Sequence, residues 1–275
     1  MITDYQNDHC RFKVCHQRGQ ILSWQPRGQA DVLWCTDENL ISLDKPIRGG
    51  IPLCWPWFLK GDSGDLAPSH GFARIADWRL VSNRQLEAGT HRLVYQLTSA
   101  DTSSPHYPHD FCLTLEYLIG ETLTMSMTLQ AFTAAAPTPA FGAFHSYFNV
   151  GDIEQTLIEG LGSPSIDNLA DRQRVQEPEQ VMITGPTEKR FAASNEARQT
   201  VRILDKAHQR TIKLVQAGHS DVMLWSPWTE TGHSLKDTHP DDYKHFVCVE
   251  TAAISSPFAN HASLTIFSDK EPQYR

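Results

Sequence analysis

The stretch Phe111-Cys112-Leu113-Thr114-Leu115-Glu116-Tyr117-Leu118-Ile119-Gly120-Glu121-Thr122-Leu123-Thr124-Met125-Ser126-Met127-Thr128-Leu129 carries apolar residues at every second position. Phe111, Leu113, Leu115 and Tyr117 fall on one face, as do Leu123, Met125, Met127 and Leu129. Side chains alternate sides along a strand, so the pattern predicts two half-buried strands. The break at Ile119-Gly120-Glu121-Thr122 reads as a tight turn joining them. The same period recurs outward in both directions. Residues 201–204 are predicted to pair with 211–215 across 205–210, and 21–24 with 32–34 across the turn near Pro26-Arg27-Gly28. Further strands are expected at 91–98, 155–161, 221–225, 245–251 and 263–268. Helical signals are few. Only 167–177, with an aspartate to cap it and Pro178 to stop it, predicts a turn or two of helix.

Composition bounds what such a chain can be. Its 275 residues are 40% apolar and 20% charged, a globular balance with room for a large core. With 24 basic and 32 acidic side chains the net charge is −8, which argues against nucleic acid or an anionic membrane as partner. No apolar run is long enough to span a bilayer. The beginning is polar and acidic where a secretory leader is basic and then apolar, so a cytoplasmic chain is expected. Six cysteines form no C-x-x-C pair and are expected as reduced thiols, with Cys112 and Cys248 acting as small buried hydrophobes. Neither a metal site nor a disulfide scaffold is expected. No linker or repeat interrupts the chain, so 1–275 reads as one all-β domain, an antiparallel sandwich or barrel with few short helices.

Seven tryptophans cluster as Trp24 and Trp34, Trp55 and Trp57, and Trp225 and Trp228, with Trp78 alone. Core packing accounts for most tryptophans. Pairs beside proline in loops also suit the C–H faces of a sugar, so they predict pocket walls. Four segments concentrate charge, imidazole and aromatic rings: Ile47-Arg48-Gly49-Gly50-Ile51-Pro52-Leu53-Cys54-Trp55-Pro56-Trp57-Phe58, Ser69-His70-Gly71-Phe72-Ala73-Arg74, Phe144-His145-Ser146-Tyr147-Phe148-Asn149-Val150 and Phe246-Val247-Cys248-Val249-Glu250-Thr251-Ala252. Glu250 is the only charge in its run. On a buried strand its pKa would rise and make it a better base; at a strand end it would merely meet solvent. His145 alone reads equally as a hydrogen-bonded core residue, and His70 as support for a glycine turn. Arg48 and Arg74 offer planar multi-donor contacts to phosphate oxygens, with Gly49 and Gly50 leaving backbone N–H groups open to an anion. The alternative for each arginine is a structural ion pair.

Taken in order over roughly residues 40 to 255, R-G-G-I-P-x-C-W-P-W-F, S-H-G-F-A-R, H-S-Y-F and C-V-E resemble the aldose 1-epimerase (mutarotase) superfamily, and within it the hexose-6-phosphate branch. Tyr107-Pro108-His109-Asp110-Phe111 is similar to that branch's entry into its central hairpin. The resemblance implies a galactose mutarotase-like antiparallel supersandwich and a cofactor-free, metal-free epimerase acting on a hexose 6-phosphate. It implies Glu250 as base at the C1 hydroxyl and His145 as acid at the ring oxygen, with the roles reversed on reclosure. It places His70 near the ring oxygen and Arg48 and Arg74 on the phosphate; Lys60, just downstream of the Arg48 segment, is a candidate helper on sequence position only. Ser69 stands where relatives often carry Gln, and Glu188 where an acidic sugar contact is expected as Asp. Trp225-Ser226-Pro227-Trp228 replaces a Trp-Asn-Pro-Trp pattern, and Asp221 is expected to order its own turn. A monomer is expected. The competing readings are an epimerase of unphosphorylated aldoses and a non-catalytic carbohydrate-binding protein on the same fold. A sugar hydrolase lacks a second carboxylate in a comparable setting.

Overall fold

Alternation in the central hairpin is realised residue for residue. The computed structural model describes residues 2–102, 104–131, 139–194 and 197–270. In it Phe111–Ile119 pairs antiparallel with Leu123–Ala131, from Phe111 opposite Ala131 to Ile119 opposite Leu123. The hairpin lies inside a nine-stranded sheet ordered Gln180–Met182, Thr156–Glu159, Gln199–Asp205, Arg210–Ala217, His261–Lys270, Leu123–Ala131, Phe111–Ile119, His91–Thr98 and Arg79–Gln85. A second sheet runs Gln173–Val175, Ser165–Asp167, Thr187–Ala192, Asp221–Ser226, Phe246–Ala253, Gly142–Phe144 and Leu53–Cys54, with Tyr147–Asn149 also pairing with Phe246–Ala253. Ile2–Gln6, Cys10–Cys15 and Gln20–Pro26 form a third. Among the described residues the one α-helix is Trp228–Gly232. The chain is an antiparallel β-sandwich with only short helical turns, as its sequence predicts.

Both large sheets close over one core. Leu113, Leu115, Tyr117, Met125 and Met127 from the first join Phe144, Val222, Leu224, Val247 and Val249 from the second in a single cluster. Each such side chain contributes about 2 kcal/mol when fully buried. Phe246–Ala253 is buried on both faces. Its Val247, Val249 and Ala253 belong to the main core. On its other face Phe246 and Cys248 pack with Trp34 and Tyr147, and Ala252 packs with Met223. Glu250 shares that second face, pointing away from the main core.

Two pairings differ from the sequence reading. Gln20–Pro26 pairs with Cys10–Cys15, whereas 32–34 leaves it after one bond, from Val32 N–H to the Trp24 carbonyl at 2.9 Å. The cause is Asp31, whose carboxylate accepts from Trp24 N at 2.9 Å, Leu33 N at 3.2 Å and Ser23 Oγ at 2.5 Å. That cluster turns the chain away, and Leu33 bridges to Phe148 instead. The 167–177 run is a hairpin rather than a helix, joining Ser165–Asp167 to Gln173–Val175. Asp167 accepts from Leu169 N at 2.9 Å, and Asp171 and Arg172 take left-handed φ values of 50° and 60°, which end any helical turn.

The site segment starting at Arg48 runs beside residues 145–147, with His145 N donating to the Pro52 carbonyl and Tyr147 N to the Gly50 carbonyl, both at 3.0 Å. Gly50 lets the other side of this segment lie against the Gln20–Pro26 strand. Its φ is +60°, and a Cβ there would lie 2.1 Å from the Ile21 carbonyl oxygen. Buried Arg210 braces the far end, donating to the Asn149 carbonyl at 2.6 Å and to Asp205 at 3.1 Å. Gly50→Ala is therefore expected to lose about 3 kcal/mol or more in urea unfolding, since strain and a backbone clash add. Gly64→Ala, with φ +77° but nothing within 4 Å, is the control and is expected to lose only about 1 kcal/mol. Equal losses would contradict the close-approach role of Gly50.

Candidate active site

Six stretches far apart in sequence meet at one cavity of about 230 Å³, lined by Arg48, Phe58, Leu59, His70, Arg74, His145, Tyr147, Glu188, Met223, Trp225 and Glu250. Strand register explains much of this. Glu188 lies opposite Trp225, Trp225 opposite Cys248 and Cys248 opposite Tyr147, while Met223 lies opposite Glu250. One face of the second sheet thus carries a continuous patch of aromatic and ionisable side chains. The Ser69–Arg74 turn is added from the side. Gly71, with φ +72°, docks against Trp55, where a Cβ would sit 2.0 Å from the Trp55 carbonyl oxygen. That approach brings His70 and Arg74 to the cavity.

His145 and Glu250 are in direct contact. Nδ1 of His145 lies 3.3 Å from Oε1 of Glu250, close but not aligned as a hydrogen bond, and the residues are 8% and 2% exposed. Glu250 Oε2 also has no hydrogen-bond partner. Burial, reinforced by the charge of Glu188, holds the Glu250 carboxyl well above its ordinary pKa, with Arg74 pulling the other way. Burial, followed by His70, Arg74 and Arg48, holds His145 well below the ordinary imidazole value. Each member is pushed toward its neutral form, so the empty site favours one proton residing on Glu250. The sequence reading starts that proton on His145. Tyr147 stacks on the His145 ring at 4.8 Å with a 7° interplanar angle and fixes its plane.

Arg48 is both an ion-paired residue and a cavity residue. Its Nε donates to Asp237 Oδ1 at 2.7 Å, and its Nη1 lies 3.4 Å from the Tyr147 hydroxyl. Thr36 donates to the Asp237 carbonyl and holds that segment in place. The Gly50 N–H is bonded to the Trp34 carbonyl at 2.7 Å, so it is closed to an anion; the glycines serve backbone packing instead. Arg74 donates to the Ser69 carbonyl at 2.8 Å and has no carboxylate partner among the described residues, while its buried Nε is unpartnered. His70 is pushed down to about 3, by burial first and Arg74 second, so it is neutral at physiological pH. Its ring centroid lies 5.7 Å from that of His145.

Most of the residues singled out from sequence converge here. His145, Glu250, Arg48, Arg74, His70 and Glu188 all line the cavity, and Asn168 donates to Glu188 Oε1 at 3.0 Å. Ser69 contributes its carbonyl to Arg74 rather than a lining side chain, and Lys60 is exposed outside the lining. Asp221 orders the turn that follows Phe246–Ala253 rather than its own, accepting from Ile254 N and Ser255 N at 2.9 and 2.8 Å. Of the tryptophans, Trp225 walls this cavity and Trp57 a neighbouring one, whereas Trp24 and Trp55 are wholly buried. Asp237 and the stacking role of Tyr147 escape the sequence reading. Asp237 meets Arg48 across 189 positions with no local signal. The alternation of 246–253, in contrast, already puts Cys248 on the face of Glu250.

Comparison with known proteins follows the same line. The aldose 1-epimerase family model matches residues 1–263. A Salmonella typhimurium protein provisionally named glucose-6-phosphate 1-epimerase is 34% identical over 252 residues, 91% of this chain and 83% of that one. An Escherichia coli protein of the same provisional name is 35% identical over 254 residues, covering 90% and 82%. A Salmonella typhimurium crystal structure described as a provisional mutarotase superposes with a TM-score of 0.87 at 29% identity, covering 98% of this chain and 90% of that one. Sandwich, strand register and cavity thus coincide with a family match over nearly the whole length, and the chain belongs to the aldose 1-epimerase family.

Proposed function

We propose that the chain is a glucose-6-phosphate 1-epimerase that exchanges α and β anomers by opening and reclosing the sugar ring. The carrying observation is the buried Glu250–His145 contact at 3.3 Å in a cavity that also presents Arg48 and Arg74. Ring opening removes the proton of the C1 hydroxyl and delivers one to the ring oxygen. Rotation about C1–C2 then exposes the other face of the aldehyde. A pair holding a single proton suffices, and the pair titrates as a unit. With the proton on His145, Glu250 is the base and the imidazolium the acid. With it on Glu250, the roles exchange. Both guanidiniums oppose an imidazolium, whereas Arg74 alone is felt at Glu250. A phosphate dianion seated on Arg48 and Arg74 therefore favours moving the proton toward His145.

Arg74, with no carboxylate partner among the described residues, is the stronger phosphate anchor; Arg48 keeps Nη2 available while Asp237 holds Nε and the Tyr147 hydroxyl accepts from Nη1. Glu188 and His70 are the polar contacts to the sugar, and Trp225 offers an aromatic wall. The relatives' provisional names support the substrate. A single domain over 1–275 is supported by a core cluster that runs from Cys10 to Ile266. A cytoplasmic setting is supported by six free cysteines, five of them buried.

NMR exchange between the anomers of glucose 6-phosphate tests the proposal. Added protein is expected to exceed the spontaneous rate, with Glu250→Gln and His145→Ala each losing at least about 100-fold while still binding substrate. An unchanged spontaneous rate would refute the activity. Arg74→Ala is expected to weaken kcat/KM for the phosphate ester by about 100-fold and for glucose far less; equal losses would favour an epimerase of unphosphorylated aldoses.

The buried carboxyl has a second consequence. A group whose folded pKa is raised contributes stability below its unfolded pKa and loses it as pH rises toward the folded value. Glu250→Gln is thus expected to melt above the wild type. The gap should open once pH passes the ordinary carboxyl value of 4.5 and grow by up to about 1.4 kcal/mol per pH unit. A gap independent of pH in differential scanning calorimetry would contradict the raised pKa.

A further inference from the structure

Cys248 adjoins the site without lining its cavity, and the reaction does not use it. It shares the outward face of Phe246–Ala253 with Glu250. Its Sγ, a carboxylate oxygen of Glu250 and a ring nitrogen of His145 all lie within 4.8 Å of one another. The three residues are 0%, 2% and 8% exposed. Two of the potential ligand groups carry a buried atom with no hydrogen-bond partner, His145 Nδ1 and Glu250 Oε2. Buried polar atoms are rarely left so, and each such case asks for an occupant or a role.

We propose that His145, Cys248 and Glu250 form a site for a thiophilic divalent cation of the zinc class, which silences the acid–base pair when it binds. The silencing, though not the binding, rests on the epimerase reading above. Zinc bonds of roughly 2.0–2.3 Å in tetrahedral array put neighbouring ligand atoms about 3.3–3.6 Å apart. The His145 Nδ1 to Glu250 Oε1 separation of 3.3 Å already meets that spacing. The Cys248 sulfur, within 4.8 Å of the other two ligand atoms, would have to close in on them to take the third corner. One imidazole, one thiolate and one carboxylate give three protein ligands, and the fourth position opens to the cavity that His145 and Glu250 line. A hard cation such as Mg²⁺ is poorly served, because it demands six oxygen-rich positions. Charge also balances. Ligation releases one proton from the thiol and one from the carboxyl, so a dication leaves the pocket's net charge unchanged despite Arg48 and Arg74.

Titration of the intact protein with CdCl₂ reads the site through the ultraviolet thiolate-to-cadmium charge-transfer band, independently of turnover. Anomer exchange is measured on the same samples. One Cd²⁺ per chain is expected to produce the band and to stop exchange in step, with EDTA restoring it. In Cys248→Ser, checked for a native Tm, the band is expected to vanish and half-inhibition to need at least about tenfold more Cd²⁺. Absence of the band in the wild type, or a band and inhibition unchanged in Cys248→Ser, would overturn the site. If Cys248→Ser does not fold, Glu250→Gln gives the reading: Cd²⁺ affinity, followed by the band, is expected to fall by about tenfold, and unchanged affinity overturns the site. Metal-free wild type that fails to exchange anomers would refute the epimerase reading alone, leaving the cadmium band to decide the metal site.

Discussion

A carboxyl and an imidazole pressed together at 3.3 Å in a wall almost closed to water is the constraint on which the rest of the molecule turns. Neither group is solvated well enough to carry its charge cheaply, and neither has a hydrogen-bond partner that would fix its proton. The pair's single proton is therefore held on Glu250, and it moves toward His145 once an anion offsets the guanidiniums. That is what a reaction needs when it must both remove and donate a proton within one ring opening. The positive side chains nearby are not incidental to this balance, because they oppose an imidazolium until an anion offsets them.

The fold supplies the closed wall by using both faces of one strand. Val247, Val249 and Ala253 lock Phe246–Ala253 into the main core, while Glu250 on the opposite face lines the cavity. A strand anchored on one side by tight apolar packing holds its other side to a fixed geometry, which loops alone would not. Segments with less regular structure then close in. Gly50 lets the Arg48 segment lie against the Gln20–Pro26 strand, and Gly71 lets the His70 and Arg74 turn press on Trp55. Each close approach depends on a missing Cβ, so the geometry of the cavity and the stability of the sandwich are coupled at those points.

How much of this could be read in advance follows from the range of the interactions involved. Alternation is local, and it placed the 111–129 hairpin, the 201–215 pairing and the Glu250 strand without help. The motif resemblance then assembled His145, Glu250, Arg48, Arg74, His70 and Glu188, which meet in one cavity. Capping chemistry is ambiguous at short range. Asp167 looks like a helix cap but closes a hairpin turn, and Asp31 diverts a strand that its apolar pattern would have continued. The Arg48–Asp237 pair and the stacking of Tyr147 on His145 arise only from tertiary packing, and a pattern search has nothing to find there.

Titration of the empty protein by NMR, with ¹³C at the Glu250 carboxyl and ¹⁵N in the His145 ring, tests the central claim most directly. The expected spectra show a protonated Glu250 carboxyl beside a neutral His145 ring at neutral pH, with neither group titrating at the ordinary values of 4.5 and 6.5. A carboxylate that ionises near 4.5 and an imidazole that protonates near 6.5, each independent of the other, would contradict a buried pair sharing one proton.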